Sequence, residues 1–420
     1  MRNEKYVVGF LGLGNIGGAV YEILKKRFDN KFIVKYALVK DLKKNRNVPK
    51  EILTDDPNDI LNDSEIDVVV EFMGGIEPAW KYMNTALENG KNVVTANKAA
   101  LAARWKELNE TAKNADKGLY FEATCCAGIP LISALKNSLQ ANEISQFLGI
   151  VNGSTNYILS KMSDEKLSYS DALDLASANG YTEPDPSADV NGDDAVNKLA
   201  ILLSLATHTK ISVEDIFVEG MTNLDIKDIK CGEEMGLSLK FLAIGKCKDK
   251  HIEARVHPTF IPFFNPLASV KDNYNAVMLT GDVLGDVMFY GLGAGRYPTA
   301  SAVVSDIINA TSTPNGMHDS YDQEVARKGN ITINEDWKSE YFLRINVLDT
   351  PGMLARVADI FGKCNVSIAK VVQIESDYNN YIPVVFLTHL TLESNMQNVM
   401  KILDSSKDCK RGCLIRIERN

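Results

Sequence analysis

The chain has 420 residues, 45% hydrophobic and 24% charged, with 28 glycines and 13 prolines, which suits two or three folded domains and excludes a disordered or fibrous protein. Its 46 basic and 55 acidic residues leave a formal charge of −9, with no long Lys/Arg run, so nucleic acid and anionic membrane are not expected partners. No apolar run approaches the ~18 residues of a membrane span, no leader-cleavage pattern follows the N-terminus, and seven scattered cysteines form neither a disulfide framework nor a zinc set. The expectation is a reduced, cytoplasmic protein.

The first third alternates apolar runs with helical patterns. Val7–Leu11 predicts a buried strand and Ala19–Leu24 a helix. Further strands are expected at Ile33–Val39, Asp67–Phe72, Asn92–Thr95 and Leu119–Glu122, with a helix at Pro78–Asn89. Val- and Ile-rich runs without polar alternation suit a parallel sheet covered on both faces, and strands alternating with helices mean β-α-β units. The expected fold class is α/β: a Rossmann-type doubly wound dinucleotide domain over residues 1–130, completed at about 291–310. Residues 131–290 read as an α+β substrate or dimerisation domain, with helices at Pro130–Leu139, Ala195–Thr207 and Gly236–Ala243 and a strand at Arg255–Phe260. Ser, Thr, Pro, Asn and Gly punctuation marks 311–338 as a linker. Residues 339–420 then follow a β-α-β-β-α-β order, the ferredoxin-like pattern.

Gly12-Leu13-Gly14-Asn15-Ile16-Gly17 fits G-x-G-x-x-G directly after a strand and at the start of a helix. In that context it predicts dinucleotide binding: Gly12 for the tight turn, Gly14 for approach to the pyrophosphate, Gly17 for helix–sheet packing. Near the end of the second strand stand Lys40 and Asp41, then Lys43, Lys44 and Arg46. An acid there holds the ribose 2′-hydroxyl of NAD, and a cation takes the 2′-phosphate of NADP. Both are present, so NADP or NAD stays open; the basic run leans to NADP, and a plain solvated turn is the alternative.

The stretch 180–198, GYTEPDPSADVNGDDAVNK, places five carboxylates before one lysine. Asp194 and Lys198 are i,i+4 on the helix that follows, acid first, so they can pair. A lysine desolvated beside carboxylates can be aimed as a proton donor, and Glu183 can hold an ammonium group. On composition alone a solvated acidic loop is the stronger reading, and EF-hand spacing is absent. Lys98, in VVTANK, lies just past the carboxyl end of a predicted parallel strand, where doubly wound sheets bind ligands. An ordinary loop lysine would look the same.

Taken in order, GLGNIGG, VVVEFMGG (68–75), VVTANKAAL (93–101), YFEATCCAGIPLI (120–132), NGSTNYIL (152–159), the acidic stretch and GDVMFYGLGAGRYPTASAVVSD (285–306) resemble the homoserine dehydrogenase family in its monofunctional form. The resemblance implies reversible NAD(P)H-dependent reduction of L-aspartate 4-semialdehyde to L-homoserine, in threonine, methionine and isoleucine biosynthesis. It implies Lys198 as proton donor, Lys98 beside nicotinamide and substrate, Asp194 orienting substrate and Lys198, and Glu183 and Asp189 as substrate ligands. Implied cofactor contacts are Gly12, Leu13, Gly14, Asn15, Ile16, Gly17, Lys40, Lys98 and Gly295. A monovalent cation, sodium, is implied on Glu122 and the carbonyls of Cys125, Ala127 and Ile129, together with a homodimer or homotetramer. A non-catalytic sensor would have no reason to keep both lysines with the acidic loop.

Two departures stand out. Cys125-Cys126 occupy a loop where the family carries small aliphatic residues and glycine, which puts two thiols beside the expected site and predicts sensitivity to oxidation. Ser154 stands where the family has threonine. At the C-terminus, Asp349-Thr350-Pro351-Gly352-Met353-Leu354 followed by Asn365-Val366-Ser367-Ile368 resembles the start of an ACT domain. That implies an amino-acid-binding regulatory module with L-threonine as the expected effector; a dimerisation module without ligand is the alternative.

Overall fold

The computed structural model describes residues 5–249, 251–312, 332–373 and 381–419. The chain divides into two compact units: one of Met1–Gly153, Asp194–Ile216 and Tyr274–Ile331, the other of Ser154–Asp193, Phe217–Asn273 and Thr332–Asn420. Most of the expected linker, 313–331, lies outside the described residues.

The first unit is built on six parallel strands: β1 (Tyr6–Leu11), β2 (Phe32–Leu38), β3 (Leu53–Thr54), β4 (Val68–Glu71), β5 (Asn92–Thr95) and β6 (Leu119–Tyr120). Their order, β3-β2-β1-β4-β5-β6, is the doubly wound one, with its switch point between β1 and β4. Val8, Phe10, Val68, Val70 and Val94 are fully buried, as expected for strands covered on both faces. Helix Asn15–Arg27 brings Ala19, Val20 and Leu24 to this core, and helix Arg296–Ser312 brings Ala300, Val303 and Ile307 across some 280 residues of sequence. Each fully buried valine or leucine contributes ~1.5–3 kcal/mol, which is ample to recruit a distant helix. The same unit holds an antiparallel trio, Ile144–Ile150, Tyr274–Gly281 and Gly285–Leu292, whose last strand leaves Met288, Tyr290 and Leu292 exposed.

In the second unit Leu237–Lys248 and His251–Pro262 form a long antiparallel hairpin. Strand His251–Pro262 also pairs in parallel with Cys409–Ile417, through Thr259 to Arg416 and Phe260 to Ile417. The C-terminal module orders its strands Cys409–Ile417, Lys338–Leu348, Tyr381–Thr388, Ile368–Gln373, all antiparallel, with helices Met353–Lys363 and Glu393–Ser405. Tyr341, Leu343, Val357, Phe361, Phe386 and Val399 form its core.

One expected helix is a strand, and another is present in a widened form. Gly236–Ala243 is not helical: Leu237–Lys248 is a strand. Leu237, Leu239, Phe241, Leu242, Ala243 and Ile244 are all buried, so the run lacks the alternation of a half-exposed strand and mimics a buried helix. Pairing with His251–Pro262 decides the outcome. Pro130–Leu139 is helical over residues 131–138, α at Leu131–Ser133 and then widened to a π-helix over Ala134–Ser138, where the Leu139 N–H reaches back five residues to the Ala134 carbonyl at 2.9 Å. No helix among the described residues is long and apolar enough to cross a membrane.

Candidate active site

The turn from β1 into helix Asn15–Arg27 is the glycine loop. Gly12 has φ +108°, and a Cβ there would lie 3.3 Å from the Phe72 backbone. A Cβ on Gly17 would lie 3.1 Å from the Gly12 carbonyl, whereas one on Gly14 meets nothing within 4 Å. The loop is tight at both ends and open in the middle, where a pyrophosphate has to approach backbone and helix N-terminus. Beside it a cleft of about 260 Å³ is lined by Leu13, Gly14, Asn15, Lys44, Arg46 and Arg296, among others. Arg296 donates to the Asn15 carbonyl at 3.3 Å and to Glu22 at 2.5 Å. Lys40 is exposed at the end of β2 and is not part of that lining, while Ile16 packs into the core. Gly295, at φ +125°, precedes helix Arg296–Ser312.

Helix Lys98–Asn114 begins where β5 ends. Asn97 caps it, its Oδ1 accepting the Ala100 N–H at 3.1 Å, while its Nδ2 donates to the Gly75 carbonyl at 2.7 Å. Glu71, buried at the end of β4, accepts from the Thr95 hydroxyl and the Met73 N–H, both at 2.6 Å. Burial pushes its carboxyl up, against these donors. The network ties together the carboxyl ends of β4 and β5 and so fixes where residue 98 emerges.

Lys98 Nζ donates to Asp194 Oδ1. The other oxygen of Asp194 accepts from Lys198 Nζ at 2.7 Å and Asn152 Nδ2 at 2.9 Å. Lys198, one helical turn beyond Asp194 on helix Asp193–Thr207, also donates to the Val151 carbonyl at 2.7 Å. Asp194 and Lys198 are buried, and the Lys98 side chain is 39% exposed. Burial alone would raise Asp194, but Lys198 and Lys98 hold it far below the carboxylate range. Burial alone would lower Lys198, but Asp194 raises its proton affinity above that of a free lysine. Two ammonium groups therefore share one carboxylate, which leaves a positive charge where a polar oxygen can dock, gain negative charge and receive a proton.

The structure thus brings Lys98, Asp194 and Lys198 together. Glu183, exposed, and Asp189, half-buried on a short helix Ser187–Val190, belong to the second unit, on the segment that runs into Asp194. Sequence reasoning did not single out Asn152 or Arg296, whose partners are 42 and 274 residues away. The Asn-Gly pair ahead of a helix, and an arginine after a glycine run, were the only signs of them.

The loop after β6 turns through Cys126 at φ +54° and Ala127 at φ +49°, left-handed backbone adopted here without glycine. Cys125 Sγ lies 3.9 Å from the Lys198 carbonyl, and burial pushes both thiols up. Thiolate is the form that oxidises readily, so these surroundings oppose the expected redox sensitivity. Glu122 accepts the N–H groups of Ile132 and Ser133 at 2.8 and 2.7 Å, and burial raises its carboxyl. Its own N–H donates to Asp306 at 2.8 Å, whose carboxyl burial pushes up to about 8. The Ile129 carbonyl accepts from the Leu131 N–H at 2.8 Å. Among the described residues no group of three or more His, Cys, Asp or Glu is placed to hold a metal.

Residues 12–122 match the family model for the homoserine dehydrogenase NAD-binding domain, 130–308 that for homoserine dehydrogenase, and 341–407 that for the ACT domain. A homoserine dehydrogenase from Helicobacter pylori is 39% identical over 405 residues, 95% of each chain. A solved homoserine dehydrogenase from Thiobacillus denitrificans matches 99% of both chains with a TM-score of 0.92 at 35% identity. A hyperthermophilic archaeal homoserine dehydrogenase in complex with NADPH matches 74% of this chain and 99% of its own, with a TM-score of 0.64 at 28% identity. With these likenesses over nearly its full length, the chain belongs to the homoserine dehydrogenase family, oxidoreductases with a nicotinamide-nucleotide domain, here followed by an ACT domain.

Proposed function

We propose that Lys198 is the proton donor, and Lys98 and Asp194 its orienting partners, in the reversible NAD(P)H-dependent reduction of L-aspartate 4-semialdehyde to L-homoserine. The observation that carries this reading is one carboxylate shared by two lysines at the carboxyl end of the doubly wound sheet. The bound nicotinamide supplies hydride to the aldehyde carbon, and takes it back in the reverse direction. Lys198 gives its proton to the aldehyde oxygen as that oxygen gains charge, and the pairing with Asp194 keeps the proton in place until then. Lys98, partly exposed, holds the substrate oxygen or its carboxylate, and Glu183 and Asp189 take the ammonium group.

Lys44, Arg46 and Arg296 around the open side of Gly14 favour NADP, since a 2′-phosphate needs cations there. The archaeal relative is named with NADPH. A monovalent cation on Glu122 and the carbonyls of Cys125, Ala127 and Ile129 fits the donors present: a carboxylate offers about four acceptor sites and a carbonyl two, and amides occupy only some of them. Exposed Met288, Tyr290 (54%) and Leu292 on an outer strand suit a homodimer or homotetramer. The ACT domain suits control by an amino acid, with L-threonine first, and free cysteines throughout suit the cytoplasm.

Homoserine oxidation followed by absorbance at alkaline pH, with NAD and NADP in separate runs, tests the central reading. Turnover is expected, faster at low concentrations of NADP than of NAD. Silence with both cofactors refutes it.

A further inference from the structure

A lysine that gives its proton to the aldehyde oxygen starts the reduction as an ammonium and ends it as an amine. The ionic hold of Lys198 on Asp194 therefore lapses once in every cycle. Lysine carries its nitrogen on a flexible four-carbon stem, so an amine released from its carboxylate loses its aim. The partners that do not depend on this charge come from two adjacent residues. The Val151 carbonyl accepts from Lys198 Nζ at 2.7 Å, and Asn152 donates Nδ2 to Asp194 Oδ2 at 2.9 Å. Backbone and side chain of one short segment thus grip the two members of the pair separately. All of these groups belong to the first unit.

The segment is built to stay still. Strand Ile144–Ile150 ends at a fully buried Ile150, paired with Ala276, which is also fully buried. Val151 and Asn152 are buried in turn, and helix Gly153–Asp164 starts at the next residue. The carboxylate shows what each donor adds. Asp194 Oδ1 takes Lys98, whereas Oδ2 takes both Lys198 and Asn152. Lys98 stands on another helix with its side chain partly exposed, so it draws Asp194 away from Lys198 once the Lys198 charge is gone. A carboxamide has no charge to lose. Its bond to Oδ2 persists before and after the proton leaves, and it opposes that drift.

We infer that Asn152 is a positioning residue for the reaction: with the Val151 carbonyl, it keeps Asp194 and Lys198 aligned while Lys198 is uncharged. Proton transfer then resumes from the same geometry in either direction. The inference rests on the reading of Lys198 as the proton donor.

Single-turnover reduction of L-aspartate 4-semialdehyde by NADPH, followed by absorbance in H2O and in D2O, tests it with Asn152→Leu, which removes the donor and keeps a branched side chain. The turnover is expected to slow by about 10- to 100-fold, the cost of a small misplacement near the reacting atoms. The ratio of rates in H2O and D2O is expected to rise above that of the wild type, because delivery of the lysine proton becomes the slow event. Cofactor affinity, read by fluorescence titration, and the KM for semialdehyde are expected to stay close to wild type. Melting curves establish that the variant is folded, and Asn152→Ala replaces it if it is not. An unchanged rate or an unchanged H2O/D2O ratio overturns the role given to Asn152, as does a loss that appears in KM or cofactor affinity instead. If Lys198→Ala turns over normally, the proton-donor reading falls and this inference with it. If Lys198→Ala is inactive and the Asn152 variant is not impaired, this inference alone falls.

Discussion

In the first unit Asp194 lies between Lys198 and Lys98; in the second, Arg416 lies between Glu393 and Glu219, and Arg255 between Glu418 and Glu253. Both clusters are buried, yet their bookkeeping of charge differs. Arg416, 1% exposed, is gripped through Nε and Nη2 by Glu393, which also accepts the Tyr341 hydroxyl at 2.7 Å. Each guanidinium there has carboxylates on two sides, so neither buried cation is left without a partner. Around Asp194 the cations outnumber the anion, and the surplus sits on a lysine that solvent reaches. Buried charge is stable when matched and becomes a site when left one charge short.

Replacing the proton donor breaks the comparison at its sharpest point. Lys198→Ala is expected to lower the rate of homoserine oxidation by about 10²–10⁴-fold, the usual contribution of a positioned general acid or base. Cofactor affinity, read by fluorescence titration, should stay close to wild type, because the glycine loop does not touch Lys198. A variant that turns over normally, or one that no longer binds cofactor, contradicts the role assigned here.

The matched cluster should fail differently. Arg416→Met leaves Glu393 buried without its cation, a defect worth about 3–5 kcal/mol. Burial then pushes Glu393, now held low by Arg416, back up. Urea unfolding should show the whole loss, and turnover per folded molecule should change far less than in the Lys198 variant. Wild-type stability in Arg416→Met would mean that the network is ornamental.

Which parts of this contrast were legible in the sequence follows from distance along the chain. The Asp194–Lys198 pair is one helical turn apart, and spacing alone announces it. The glycine loop is equally local, and each of its three glycines is required, or left open, in the way its motif position implies. Lys98 stands out by its place at a strand end, but its partner is 96 residues away, and no local pattern reveals that. The Arg416 network draws on residues 219, 341, 393 and 416, so it exists only after the sheet has assembled. Strand Leu237–Lys248 reads as a helix because both of its faces are buried, which erases the period-two signal. The hairpin Tyr274–Leu292 leaves little sequence signal because its outer strand alternates only between half-buried and exposed.

Lys240 extends the comparison to a cation with no carboxylate in its grip, and predicts the smallest effect. It is buried on strand Leu237–Lys248, with Nζ donating to the Val270 carbonyl at 2.5 Å. Burial and the neighbouring Lys271 push its proton affinity down, against a weaker pull from Asp164, from 10.5 to about 8. Unfolding restores the ordinary value, so between about pH 8 and 10.5 the unfolded chain binds more protons than the folded one and stability rises with pH, by at most about 1.4 kcal/mol per pH unit. Below about pH 8 the cost of the buried ammonium is fully present. Lys240→Met keeps the apolar stem and removes the charge. It is therefore expected to melt above the wild type at pH 7, with the gap closing as pH climbs towards 10, since every other titrating group is common to both proteins. Melting curves that stay parallel across that range would show that Lys240 keeps the proton affinity of a free lysine, and that a buried cation here needs no partner at all.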